Sequence, residues 1–195
     1  ISTKSWLASD MDENTTALFE KYSEAIGNPK EHVGYNATER NKNELRTTGA
    51  KLMMEYGQKL WGDQYDIVLG GGYLSVRSPF ILTAGFKTVE DIFNLFPFDN
   101  DIILCSATGA FLKKYYMKST NSSYFISYNT GYSSSSNLSD TQIYYFVTDT
   151  FGSDYYMYGN GYRSDNQFKI VEQPEEACYL RDLMGIYIRK GGYSS

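Results

Sequence analysis

Residues 69–80 read LGGGYLSVRSPF and follow directly on the apolar run YDIVL at 65–69. A continuous apolar run bounded by turn residues is the pattern of a strand buried on both faces, and this one delivers the chain into Gly70, Gly71 and Gly72. A phosphate-cradling loop needs a lysine and a hydroxyl residue straight after its glycines, opening a helix. Here Tyr-Leu-Ser-Val-Arg-Ser-Pro follows, which favours extended backbone, and the spacing fits no dinucleotide fingerprint. The glycines therefore read first as backbone positions that need positive φ or close packing.

Upstream, ELRTTGAKLMMEYGQKLWG (44–62) places Leu45, Leu52, Met53, Tyr56 and Leu60 at helical intervals and closes at Gly62. HVGYNAT (32–38) reads as a strand, and MDENTTALFEKYSEAI (11–26) as an amphipathic helix capped by Asp10 or Asp12. Downstream, Thr88 and Asp91 form a capping box for a short helix over TVEDIFNLF (88–96), stopped by Pro97, and Phe98 emerges just beyond. DIILCSA (101–107), SYFISYN (123–129), QIYYFVTDT (142–150) and QFKIVEQ (167–173) read as strands. TGAFLKKYYMK (108–118) reads as a helix, TGYSSSSNLSD (130–140) as an exposed loop. EEACYLRDLMGIYIRK (175–190) closes the chain as a helix with Leu180, Leu183, Met184, Tyr187 and Ile188 on one face. Intermixed helices and strands define an α+β domain.

At 195 residues and 42% hydrophobic, the chain supports one ordinary core. Residues 1–9 read as a linker remnant from a longer chain and 10–195 as the domain. The net charge of -5 supplies no basic field for nucleic acid, and no apolar run has the roughly 20 residues that span a bilayer. Tyr-, Asn- and Ser-rich composition suits an extracellular, periplasmic or cell-wall-attached protein. Cys105 and Cys178 are too few for a zinc knuckle or a disulfide framework and leave room for one bridge. A single histidine, His32, rules out a two-metal hydrolase site within this chain and reads as structural.

In order and spacing, DIVLGGG, TVEDIFNLFPFDN, ILCSATGAFLKK, YFISYNTG, VTDTFGSDYY and LRDLMGIYI together resemble the C-terminal domain of the 5'-nucleotidase family. The resemblance runs from about His32 to the end. It implies a layered α/β/β/α domain with mixed sheets, serving as the substrate-recognition half of a hydrolase. Catalysis would lie in an N-terminal metallophosphoesterase domain of the same polypeptide, which would hold two divalent metal ions; this chain would carry no metal and no catalytic residue. The implied partner is a nucleotide or nucleoside-like small molecule.

The family's motifs carry over onto Phe98 and Phe151 as two rings that sandwich the base, and onto Asp154 as acceptor from the ribose hydroxyls. Stacking a base on an aromatic face contributes about 1 to 3 kcal/mol and tolerates different bases. Asn100 either bonds the base edge or caps its turn. Gly71 and Gly72 belong to the substrate loop. The family's Asn and Arg around the glycines are replaced here by Leu69 and Leu74, which leaves Arg77 as the candidate phosphate contact. Arg40 and Arg46 are further unmatched candidates. Only two residues separate Phe151 from Asp154, against five in the family. A non-catalytic binding or spacer module of the same fold is the competing reading, favoured by the two leucines.

Overall fold

The computed structural model describes residues 29–116, 124–129, 132, 137–154 and 168–191. The helix expected over 11–26, most of the Ser-rich loop and the Tyr-rich stretch after Asp154 lie outside them. In chain order the elements are β1 (His32–Asn36), α1 (Lys42–Trp61), β2 (Ile67–Tyr73), β3 (Gly85–Thr88), α2 (Val89–Leu95) and β4 (Ile102–Thr108). Then come α3 (Gly109–Phe111), continued by a π-helical turn Leu112–Tyr116, β5 (Tyr124–Tyr128), β6 (Ile143–Asp149), α4 (Thr150–Asp154), β7 (Phe168–Glu172) and α5 (Leu180–Arg189).

The main sheet has five strands in the order β5-β2-β6-β4-β7, and β1 and β3 form a separate two-stranded sheet. β2 and β6 run parallel while the other pairs of the main sheet are antiparallel, so it is a mixed sheet. The second sheet is a purely antiparallel pair.

Alternation along the central strands divides the core, because successive side chains of a strand point to opposite faces. Ile103, Cys105, Ala107, Tyr144 and Phe146 pack on one face with Phe111, Leu112 and Phe168. Ile102, Leu104 and Val147 pack on the other against Ala50, Met53, Met54 and Trp61 of α1 and Leu183 of α5. A third cluster joins Val33, Leu45, Ile92, Leu95, Met184, Tyr187 and Ile188 and ties the small sheet to the helices. The face expected for α5 is the one observed, apart from Leu180, which is only partly buried. The two cysteines lie in different packing environments, Cys105 on the first face and Cys178 against the second cluster, and both thiols are free.

The glycine run differs from the expected strand end. β2 continues through all three glycines to Tyr73. A Cβ on Gly70 would stand 2.6 Å from the backbone N and Cα of Met54, so this position is bare because α1 lies directly on the strand. Gly71 and Gly72 adopt φ of 122° and 142°, which side-chain-bearing residues rarely do. Both pair with β5, opposite Ile126 and Phe125.

Helix α1 starts at an unforeseen capping box: Asn41 Oδ1 accepts from the N–H groups of Asn43 and Glu44, at 2.9 and 3.1 Å, while the Asn41 N–H donates to Glu44 at 2.7 Å. Its buried face is also rotated from the expected one. Leu45, Ala50, Met53, Met54 and Trp61 are buried, whereas Leu60 is 46% exposed. The box expected at Thr88 and Asp91 is present, with Thr88 N–H donating to Asp91 at 2.8 Å.

Candidate functional site

Four segments converge beyond the end of β2. As the chain leaves that strand, Arg46 of α1, itself buried, donates Nε to the Leu74 carbonyl at 2.8 Å. Burial pushes the Arg46 guanidinium below its ordinary value, opposed by Tyr73. Arg46 thus braces backbone. Arg40, the other cation considered, places its guanidinium 5.3 Å from the Tyr187 ring centroid. Further along, Arg77 N–H donates to the carbonyl of Leu95 at 2.9 Å, tying this segment to the end of α2.

The turn that follows α2 carries Phe98 into the same region. Arg181 of α5 donates to the Phe98 carbonyl at 3.0 Å and forms an ion pair with Asp99. The fourth segment is α4, whose first residue, Thr150, donates its N–H to the Asp101 carbonyl at 2.9 Å. This bond holds Phe151 beside the Phe98 turn.

Together these segments enclose a cavity of about 180 Å³. Phe98, Phe151, Arg77 and Asn100 all line it, joined by Tyr73, Leu74, Ser75, Phe96, Asp149 and Leu180. Phe98 is 37% exposed and Phe151 44% exposed, so neither ring is a core residue. The Arg77 guanidinium lies 4.8 Å from the Phe98 ring centroid, and the Tyr73 ring 5.7 Å from that of Phe151. Phe98 thus has a cation over one face, and Phe151 has a tilted ring neighbour at an interplanar angle of 53°.

The polar end of the cavity is built on Asp149. Its Oδ1 accepts from the Gly152 N–H at 2.6 Å. Burial pushes the carboxyl up to about 6; the donors from Gly152, from its own N–H and from Asn100 oppose this, and the nearby Asp154 adds to it.

Asp154 is exposed at the far end of α4 and does not line the cavity. Gly71 and Gly72 stand two residues and one residue short of Tyr73, inside the sheet, and do not line it either. Leu69 and Leu74 are 0% and 1% exposed, so the places of the absent polar residues are apolar core. Tyr73 and Asp149 were not singled out in the sequence. Asp149 sits two residues before Phe151 at the end of an apolar strand, where a lone carboxylate was the available signal. His32, at the start of β1, packs edge-on against Phe86 at 6.0 Å, away from the cavity. Among the described residues no three His, Cys, Asp or Glu side chains group as metal ligands, and no helix is long and apolar enough to cross a membrane.

A mixed sheet flanked by helices, with a small aromatic cavity beyond the end of one strand, defines an α+β domain. More particularly, the fold is that of one part of the 5'-nucleotidases. The chain superposes on the 5'-nucleotidase precursor of Thermus thermophilus with a TM-score of 0.53 at 12% identity, over 91% of this chain and 40% of that one. A putative 5'-nucleotidase from Staphylococcus aureus, in complex with alpha-ketoglutarate, gives 0.53 at 12% identity over 96% and 42%. The NAD nucleotidase of Haemophilus influenzae gives 0.50 at 15% identity over 93% and 39%. The chain thus spans about 40% of the length of these structures, as a C-terminal domain would. No family model matches the sequence, and no curated protein does.

Proposed function

We propose that this chain is the nucleotide-recognition domain of a two-domain 5'-nucleotidase-like metallophosphoesterase that hydrolyses phosphate esters of nucleotides. The observation that carries the reading is that Phe98 and Phe151, brought from different elements, line one cavity while remaining partly exposed. The cavity, at about 180 Å³, is below the roughly 300 to 1,000 Å³ of clefts that enclose whole drug-sized ligands. It suits one flat ring system, with sugar and phosphate projecting outward. Arg77, on the same wall, is placed to meet an anionic group there. Asp154 lies outside the cavity wall, and in this reading it meets the ribose only if that sugar leans over α4.

Catalysis belongs to a separate N-terminal domain carrying two divalent metal ions, and the protein acts outside the cytoplasm or at the cell surface. Calorimetric titration of adenosine and AMP tests the site. Binding that weakens by about 5- to 150-fold in Phe98→Ala and in Phe151→Ala is expected from the loss of one stacking face. Equal affinity in wild type and both variants would refute it.

The buried Leu69 and Leu74 favour a second reading, a non-catalytic binding or spacer module that has lost phosphate delivery. Under that reading adenosine and AMP bind equally and Arg77→Ala changes neither, whereas recognition for hydrolysis requires Arg77→Ala to weaken AMP alone.

A further inference from the structure

Phe98 can stack on a base only while the turn that carries it stays in place, and that turn is gripped from outside the cavity. We propose that Arg181 is a positioning residue for the stacking site: its guanidinium clamps the turn at Phe98 and Asp99 and so holds the Phe98 ring at the cavity wall. The inference rests on the nucleoside-recognition reading above.

Residues 96–100 lie outside helix and strand, and Pro97 has no N–H with which to tie them down. Backbone bonds fix the two ends of the segment. The Phe96 N–H donates to the Ile92 carbonyl at 3.0 Å, and the Asp101 carbonyl accepts the Thr150 N–H at 2.9 Å. Arg181 grips the middle: Nη1 donates to the Phe98 carbonyl at 3.0 Å while Nη2 pairs with the Asp99 carboxylate. A planar guanidinium supplies both donors in one rigid fork, whereas an ammonium is a point charge on a flexible stem.

The clamp is itself held. The Arg181 guanidinium lies 4.4 Å from the Tyr179 ring centroid and 5.3 Å from that of Phe93, an arrangement that favours a cation. Its side chain is 18% exposed, against 71% for that of Asp99. Tyr179 is fixed in turn, because the Asp182 carboxylate accepts its N–H at 2.8 Å and a backbone bridge joins it to Asp101, just ahead of β4. Arg181 does not line the cavity, so its influence on a ligand there runs through Phe98.

The test is calorimetric titration of adenosine and AMP into wild type, Phe98→Ala, Arg181→Ala, Arg181→Lys and each Arg181 variant combined with Phe98→Ala, with urea unfolding to check the fold of each. A freed turn that holds the stacking position about one-tenth of the time raises the apparent Kd about tenfold. Arg181→Ala should therefore weaken both ligands by about that factor, and by no more than Phe98→Ala does. In the Phe98→Ala background the same substitution should change affinity by less than about twofold, because the ring it positions is gone. Arg181→Lys keeps the charge without the fork and should lose at least about threefold; it carries the cycle should the alanine variant not fold. Wild-type affinity in Arg181→Ala or in Arg181→Lys overturns this inference and leaves stacking intact. A loss of the same factor with and without Phe98, the mark of a general structural effect, overturns it too. Unchanged affinity in Phe98→Ala overturns the stacking site and the inference together.

Discussion

Replacing Asp149 by asparagine should stabilise the domain at neutral pH, by an amount set by the environment of the carboxyl. Burial is the largest influence on it and raises its pKa from 3.8 to about 6. A group that binds its proton more tightly when folded than when unfolded makes folding more favourable as pH falls. For this raised carboxyl, the penalty of holding a buried charge is fully present above about pH 6, shrinks between 6 and 3.8, and is gone below 3.8. The gap of about two pH units corresponds to about 3 kcal/mol at 1.36 kcal/mol per unit. The amide introduced by Asp149→Asn would imitate the protonated acid at every pH, keeping an oxygen for the Gly152 N–H. Urea unfolding from pH 4 to 8 should therefore show the variant more stable by up to about 3 kcal/mol at pH 7.5, with the two curves converging near pH 4. A difference that stays constant with pH, or a variant less stable at pH 7.5, would refute the assignment of a buried, ionised Asp149.

Gly70→Ala should lower stability by about 1 to 3 kcal/mol, because the new Cβ meets the backbone of Met54 rather than a side chain that can swing away; thermal unfolding followed by circular dichroism would register it. Asn41→Ala removes the acceptor for two N–H groups at the start of α1 and should cost about 1 kcal/mol, readable in the same melt. Leu45→Ala, at a position with no exposure, should cost about 2 to 5 kcal/mol. The isolated chain should show background phosphatase activity with nucleoside monophosphates in zinc or manganese; metal-dependent turnover would contradict the assignment of catalysis to another domain.

Local rules carried the reading where a single interaction decides the outcome. The capping box at Thr88, the stop at Pro97 and the helical face holding Leu183, Met184, Tyr187 and Ile188 are visible as residue spacings, and the structure contains each. Legibility fails where a long-range contact decides. Leu52 and Leu60 belong to the apolar stripe of α1, but the helix turns Gly57 and Ala50 toward the sheet because it must lie close to β2 and β6. A Cβ on Gly57 would stand 2.2 Å from Val147 Cγ2, a constraint that no periodicity within the helix expresses. Likewise β2 runs through its glycines because β5 pairs with them, a partner more than 50 residues away.

The cavity was legible in four of its walls, Phe98, Asn100, Phe151 and Arg77, and these came through a resemblance spanning distant motifs. Tyr73 and Asp149 became visible only when β2, β6 and α4 were seen to end at the same place. Phe151 and Asp154 share a helix only five residues long, yet one lines the cavity and the other faces solvent. Sequence proximity did not carry both into one site.

The most direct test of the account is a crystal structure of this chain with adenosine. The purine should lie in the cavity with one face on Phe98 and the other on Phe151. A nucleoside bound elsewhere, or a cavity left empty at saturating ligand, would contradict the claim that these two rings form a base-binding slot.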